Sequence, residues 1–475
     1  MRAYSNSHHA FCLGHILYTR EQPMDTPAKF IAVVGSGIAG LSAAWLLSQR
    51  HHVTLFEAGE WVGGHTNTVD VEVDRRIFPV DTGFLVFNER TYPNLCALFD
   101  ALGVRSVASE MSFSVSLRQP DLEWAGTSLS TLFGQRRNLL RADFWRMLAD
   151  IVRFNQASTR WLEANPEQAG PSLGHYLEEH RYSSAFRDWY LLPMAAAIWS
   201  CPTGQMLDYP FATFTRFCRN HGLLQLDDRP QWRTVCGGGR EYVRKMLARI
   251  ARVSTGCSVR SVLRRRNGVE VETREQRQVF DEVVLACHSD QALALLGELA
   301  SPAERELLRA VRYQPNRAIL HTDAAQLPRE QKLWSAWNYL AEPPLGEAHA
   351  TSPNDRPVSV SYLINKLQPL PVATPVVVTL NPQRPIAPET ILGTFDYSHP
   401  IFDEPAIAAQ QCLDSIQGHG GVWFCGAWTG YGFHEDGLKS AMRVANALGC
   451  RAPWQTLGPL PGATAAKHAT IGKAA

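Results

Sequence analysis

Residues 31–64, IAVVGSGIAGLSAAWLLSQRHHVTLFEAGEWVGG, constrain the fold more than any other stretch of the chain. Ile31–Val34 is a short apolar run suited to a strand buried on both faces. Gly35 permits a tight turn, Gly37 lets a backbone approach a pyrophosphate, and Gly40 lets the next helix pack on the strand. Ser36, Ile38 and Ala39 lie between these glycines and share the candidate site. The spacing predicts a helix from Gly37 to Gln49 with its N-terminal amides aimed at phosphates. Val53–Phe56 is a second strand, and Glu57, followed by Ala58, sits about twenty residues past the glycines, where a ribose-binding acid belongs. Strand, glycines, helix and acid fall in register, which predicts an α/β nucleotide-binding unit.

A chain of 475 residues exceeds one simple core, so two intertwined domains are expected. Basic and acidic residues nearly cancel, 46 against 45, which gives no basis for bulk nucleic-acid binding. The cysteines show no metal-ligand spacing, and reduced cytoplasmic thiols are the plain expectation. Residues 1–28 lack the apolar core of a signal peptide and read as a disordered or mis-assigned extension, with Met24 a candidate start. No run reaches the roughly eighteen apolar residues of a membrane span. The best, Tyr190–Trp199, is interrupted by Pro193. Residues 451–475, rich in Ala, Gly and Pro, read as a flexible tail.

Further motifs recur along the chain. A second glycine pair gives the order Glu57, Gly63, Gly64, His65, Thr66. Phe78–Phe84 (FPVDTGF) contains Thr82, Gly83 and Phe84; Gly237–Tyr242 reads GGGREY; Asp281–His288 reads DEVVLACH and contains Ala286. Trp423–Ala441 (WFCGAWTGYGFHEDGLKSA) contains Gly426, Ala427, Gly437 and Leu438. Together these segments resemble the flavin amine oxidase superfamily, which includes monoamine and polyamine oxidases, protoporphyrinogen oxidase and phytoene desaturases. In particular the chain resembles a bacterial subgroup of predicted NAD/FAD-binding proteins, often encoded beside cyclopropane-fatty-acid-synthase-like methyltransferases. The resemblance implies a two-domain amine oxidase-like fold: a Rossmann-type FAD domain plus a mixed-sheet and helix substrate domain. It implies noncovalent FAD, with Val259 at the nucleotide end, and a methyltransferase as a possible partner. It implies that 29–90, 231–297 and 415–450 form the FAD domain, and that the insertions 91–230 and 298–414 form the substrate domain.

The first insertion reads as mostly helical over Thr91–Leu102, Leu139–Leu162 and Ser172–His180. The second carries strand-like runs at Ala318–Thr322, Val358–Ile364 and Val376–Leu380. Between Gly134 and Arg160 there are six arginines against Asp143 and Asp150, with Phe144, Leu148, Ile151 and Trp161 near a common face. Such a basic amphipathic helix suits either a solvated core helix or peripheral contact with an anionic inner-membrane surface.

At the C-terminal motif, Gly437 and Leu438 are expected to open a helix whose free amides face the flavin's pyrimidine edge. Expected pocket walls are Trp199, Trp334, Trp337, Tyr339, Tyr397, Trp428, Tyr431 and Phe433. The candidates for chemistry are Tyr431, Phe433 and His434, with His434 a possible acid or base and Asp436 a helix cap. His321 and His399 are weaker acid or base candidates. The chain departs from the amine oxidase pattern. Ala427 replaces an acid, His65 replaces an arginine, Phe433 replaces the tyrosine that faces the flavin, and Arg317–Thr322 holds no lysine. These departures favour an apolar lipid or acyl-chain substrate that is dehydrogenated by hydride transfer to flavin N5. An amine oxidase, a redox-neutral double-bond isomerase and a non-catalytic FAD- or lipid-binding partner of the methyltransferase remain open.

Overall fold

The computed structural model describes residues 27–166, 168, 170–225, 230–342 and 358–455. Residues 1–26 of the N-terminal extension, including Met24, and 456–475 of the tail lie outside the described residues.

Phe30–Val34 is the central strand of a five-stranded sheet, as its buried apolar run requires. His52–Phe56 and Arg252–Ser254 flank it on one side, Glu282–Leu285 and Val422–Phe424 on the other, and every pair is parallel. Val34 pairs with both Phe56 and Leu285, and Leu285 with Phe424. The strands therefore end together along one edge. Ile38–Leu47 is the crossover helix, buried along its whole length. It packs so tightly that a side-chain carbon on Gly40 would lie 1.9 Å from the Gly35 carbonyl oxygen. A three-stranded antiparallel sheet, Val259–Arg265, Gly268–Thr273 and Arg277–Phe280, packs against the other face.

The second layer is a seven-stranded mixed sheet, in the order Ile391–Ile401, Arg312–His321, Val377–Leu380, Ser359–Leu363, Trp337–Ala341, Phe113–Leu117 and Leu122–Ala125. Only the pairing of Trp337–Ala341 with Phe113–Leu117 is parallel. The helices Ala142–Ala164, Leu173–Glu179, Leu192–Trp199 and Phe211–Asn220 form an aromatic cluster beside it. This is the α/β two-layer architecture expected from the motifs.

Some expectations need correction. The first insertion also contributes strands, Ser106–Ser109, Phe113–Leu117 and Leu122–Ala125. Pro193 does not interrupt its segment. Ser184–Phe186, the π-helical turn Arg187–Leu191 and Leu192–Trp199 follow without a break, and the wider π-helical turn accommodates Pro193, which has no N–H to donate. The helices Pro302–Ala310 and Glu404–Cys412, placed by sequence in the substrate insertion, pack through Leu307, Leu308, Ala406 and Ala409 against the parallel sheet. Residues 451–455 do not trail: Ala452 is buried, and Trp454 stacks on Trp45 while donating from Nε1 to Asn94 at 3.1 Å.

Among the described residues no helix is long and apolar enough to cross a membrane. Of the two readings of Ala142–Ala164, its apolar residues follow the core-packed one. Phe144 is fully buried, and Leu148, Ile151 and Trp161 pack against the core.

Candidate active site

A cavity of about 1040 Å³ opens at the C-terminal edge of the parallel sheet and extends to the seven-stranded sheet. Open α/β sheets bind ligands at this edge. The volume passes the upper end of the roughly 300–1,000 Å³ range of small-molecule pockets, which leaves room for a dinucleotide and a second molecule.

The dinucleotide end is built by the strand ends. Gly35, Ser36, Gly37, Ile38 and Ala39 line it from the first crossover, Glu57 and Ala58 from the second strand, and Gly64 and His65 from the glycine pair. Val259 and Ala286 close the far side. The Glu57 carboxylate accepts the Ser36 amide at 2.9 Å and the Gly59 amide at 2.8 Å, which fixes it at the mouth of the turn. A side-chain carbon on Gly37 would meet no protein atom within 4 Å, so this backbone faces open space.

Thr82, Gly83 and Phe84 form the middle wall, with Gly426, Ala427, Tyr431, Phe433 and His434 opposite. The buried Asp81 ties this region together. It accepts from the Gly239 amide at 2.9 Å and from the Gln368 side chain at 3.0 Å. Burial raises its pKa to about 6. Tyr397 bridges the two layers, sharing a 2.7 Å hydrogen bond with Thr82 and stacking on His65 at 4.9 Å.

Histidines concentrate here. His65, His288, His399 and His434 all line the cavity. The His65 Nε2 is buried without a hydrogen-bond partner. Burial and then the neighbouring His399, His288 and His434 hold its pKa well below the ordinary value. His434 stacks on Phe84 at 3.7 Å and its Nε2 bonds Thr66 Oγ1 at 2.9 Å. Burial lowers its pKa to about 3, so the ring is neutral and poorly matched to acid or base work near pH 7.

The other end of the cavity is apolar. Phe113, Trp124, Tyr190, Met194, Ile198, Trp199, Trp337 and Tyr362 line it. Phe217 joins it to the middle wall, stacking on Phe433 at 5.1 Å and on His221 at 3.9 Å. Among the described residues that line the cavity, Glu57 is the one acid, and no lysine or arginine is present.

Most of the predicted residues therefore share one cavity. Gly40, Gly63, Thr66, Gly437 and Leu438 stand behind its wall. The helix expected to open at Gly437 and Leu438 begins at His434 and runs to Ala447. The Gly437 amide is spent on the Phe433 carbonyl at 3.1 Å, so it is not free to face a ligand. Gly437 serves packing instead: a side-chain carbon there would lie 2.7 Å from Ile38 Cγ2. Asp436 caps the helix as expected, accepting the Tyr431 and Phe433 amides at 3.1 Å. Glu435 caps a different helix, Pro93–Leu102, through Asn94 and Leu95.

Of the expected aromatic walls, Trp334 and Tyr339 lie outside the cavity, in small-cluster and sheet-core packing. His321 also lies outside it, with both ring nitrogens bonded to Thr379 and the Asp323 amide. His221, His288, Phe217 and Trp124 line the cavity without having been singled out by sequence. Their signal was tertiary: each sits on an element whose position the local pattern does not reveal.

The residues fit a dinucleotide. The open turn at Gly37, the fixed Glu57 and the unpartnered imidazole nitrogen of His65 supply backbone amides, a ribose acceptor and a latent cation. Cys425 is fully buried in the core and does not line the cavity, in keeping with a noncovalent cofactor.

Known proteins agree with this geometry. Carotenoid phi-ring synthase of Chlorobaculum tepidum is 37% identical over 86 residues, 18% of this chain; the chain spans only 13% of that curated relative. The crystal structure of a CLA-producing fatty acid isomerase from P. acnes matches with TM-score 0.61 at 15% identity, covering 88% of this chain and 98% of that one. Cyclohexylamine oxidase from Brevibacterium oxydans IH-35A matches with TM-score 0.61 at 15% identity, over 89% and 100% of the two chains. At such identities the likeness shows the fold alone. The family model of flavin containing amine oxidoreductases matches residues 38–363. With that match spanning most of its length, the chain belongs to the flavin containing amine oxidoreductases, a family of FAD-binding oxidoreductase enzymes.

Proposed function

We propose that this enzyme dehydrogenates an apolar acyl-chain substrate. The observation that carries the reading is the apolar end of the cavity, walled by Phe113, Trp124, Met194, Ile198, Trp199 and Trp337. Such a surface holds a hydrocarbon chain by burial and offers an ammonium group no carboxylate, since Glu57, the one acid of the described lining, stands at the dinucleotide end. The fatty acid isomerase and the carotenoid synthase act, by their names, on apolar molecules, which supports the same class.

FAD, when bound, supplies the two-electron acceptor. The chain's own residues position and shield. The turn at Gly35–Ala39 and Glu57 hold the nucleotide, and His65 stands ready to pair with its phosphates. The aromatic walls fix the acyl chain and exclude water from the reacting carbon. A dehydrogenation also releases a proton. The His221 Nδ1 donates to the Phe217 carbonyl at 3.0 Å, and burial lowers the pKa of the ring to about 4, so it is as poorly matched as His434 to holding that proton near pH 7. A methyltransferase that branches the acyl chain is the proposed supplier of substrate.

Anaerobic mixing of the yellow holoenzyme with candidates tests the reading. Acyl lipid is expected to bleach the flavin absorbance, and amines are not. Bleaching by polyamines or cyclohexylamine, with acyl lipids inert, overturns it; acyl product formed without net bleaching replaces it with isomerisation.

A further inference from the structure

An apolar surface stands just outside the cavity. Leu140 is 90% exposed, Leu129 is 75% exposed and Trp145 is 49% exposed, with Leu139 beside them. They sit on three successive elements, Leu129–Leu132, Arg136–Leu140 and the first turn of Ala142–Ala164, tied together through Phe133 and Trp145. The Phe133 amide bonds the Leu129 carbonyl at 3.1 Å, the Phe133 ring lies 5.3 Å from Trp145, and Trp145 Nε1 bonds the Leu139 carbonyl at 2.9 Å. Scattered exposed leucines need no explanation, but four large apolar side chains exposed on three successive elements do.

The charge around the strip is mainly basic, with Asp143 the exposed acid beside it. Arg136 and Arg146 are exposed, and neither has an ion-pair partner among the described residues. Arg137 is held by Asp121 and Arg153 by Asp150. Apolar side chains rimmed by unpaired arginines complement a surface that is anionic at its face and hydrocarbon beneath.

The strip also shares a wall with the cavity. Trp124, Gly126 and Thr127 line the cavity, and Ser128 caps the short helix Leu129–Leu132 immediately after them. Trp124 packs edge-on against Phe144, the residue before Trp145. A chain lying in a bilayer under Leu129 and Leu140 is thus one wall away from the aromatic end of the cavity.

We infer that Leu129, Leu139, Leu140 and Trp145, flanked by Arg136 and Arg146, dock this enzyme on an anionic lipid bilayer from which its acyl substrate enters. The surface is formed by the turns before the long helix together with Trp145 and Arg146 of its start, not by that helix's own apolar face, which the core consumes. The inference rests on the acyl-chain reading for what is delivered, but the docking itself is read without turnover.

The test sediments the full FAD-bound chain with vesicles of phosphatidylcholine alone or with about one third phosphatidylglycerol. The parent protein is expected to bind the anionic vesicles and to be released by salt. Leu129→Glu with Leu140→Glu, at exposed positions where folding is undisturbed, should lower the partition coefficient about tenfold or more. Arg136→Glu with Arg146→Glu should remove the preference for phosphatidylglycerol. A parent protein that stays in solution with both vesicles, or a leucine variant that binds like the parent, overturns the proposal. So does light scattering that shows the strip joining two copies of the chain. Bleaching by detergent-dispersed acyl lipid, retained in the leucine variant, supports delivery from the bilayer. No bleaching by any acyl lipid, with vesicle binding intact, overturns the substrate reading and leaves the docking surface in place.

Discussion

At the scale of single residues, the phosphate turn and the histidine beside it make opposite demands. Gly37 faces open space, so a side chain there disturbs no protein neighbour but fills room the cofactor needs. Gly37→Leu is expected to fold normally and to bind FAD at least tenfold more weakly, a loss of about 1.4 kcal/mol or more. Unfolding curves and flavin absorbance after desalting check the two halves; retention of full yellow colour contradicts the assignment. His65 behaves differently because it titrates. Burial keeps it neutral in the free protein, and a neighbouring pyrophosphate favours its charged form. Binding then takes up a proton, so FAD affinity should fall as pH rises through the bound-state value. Dissociation constants from about pH 5.5 to 8.5 should show this slope, and His65→Gln should flatten it. The turn was legible in the sequence because backbone geometry dictates its glycines. The isolation of the His65 nitrogen was not, because it depends on Tyr397 and His399, which arrive from a strand more than 300 residues away.

Among elements, the start of the C-terminal helix carries the most structure. Glu435 reaches across to the first turn of Pro93–Leu102, with both carboxylate oxygens engaged. Glu435→Ala is expected to cost about 2–3 kcal/mol, since it strips a charged acceptor from buried amides; the midpoint of urea unfolding measures it. Gly437→Val should cost about 1–3 kcal/mol by driving a side chain into Ile38. An unchanged midpoint in that variant means the two helices can separate without cost. Strong periodicity made the helices Pro93–Leu102 and Ala142–Ala164 legible. The strands Phe113–Leu117 and Leu122–Ala125 escaped because each is short, and the hairpin they form joins the sheet only through the distant strand Trp337–Ala341. The helix start escaped by three residues because the Asp436 side chain, not the glycine, sets it.

For the whole molecule, buried imidazoles govern the response to acid. His221, His321 and His399 are lowered to about 4 and His434 to about 3, chiefly by burial. Their unfolded values lie near 6.5. The unfolded chain therefore binds more protons in that interval, and the stability present above about pH 6.5 is lost as pH falls toward 4. Asp81 and Asp436, raised to about 6 by burial, work in the opposite sense, because the native state holds their protons first. Four imidazoles outweigh two carboxyls. The net loss at pH 5 should be on the order of 5 kcal/mol in the cofactor-free protein. Thermal melts between pH 5 and 7.5 check it, and a flat profile would contradict the neutral state of these rings. Motifs marked the separated segments whose strands meet in the parallel sheet, because most of them carry a recognisable strand end. They did not reveal which helices of the insertions pack back onto it, since the apolar faces of Pro302–Ala310 and Glu404–Cys412 fit either layer.

The strand Val422–Phe424 completes the parallel sheet at its edge, joined to Glu282–Leu285. A ribosome must therefore deliver the chain through Phe424 before the cofactor half can close, and until then its first crossover waits with one flank bare. Loading of the vitamin-derived group is by this logic a post-synthetic event, and nascent chains halted before that last strand should emerge colourless and in need of chaperones.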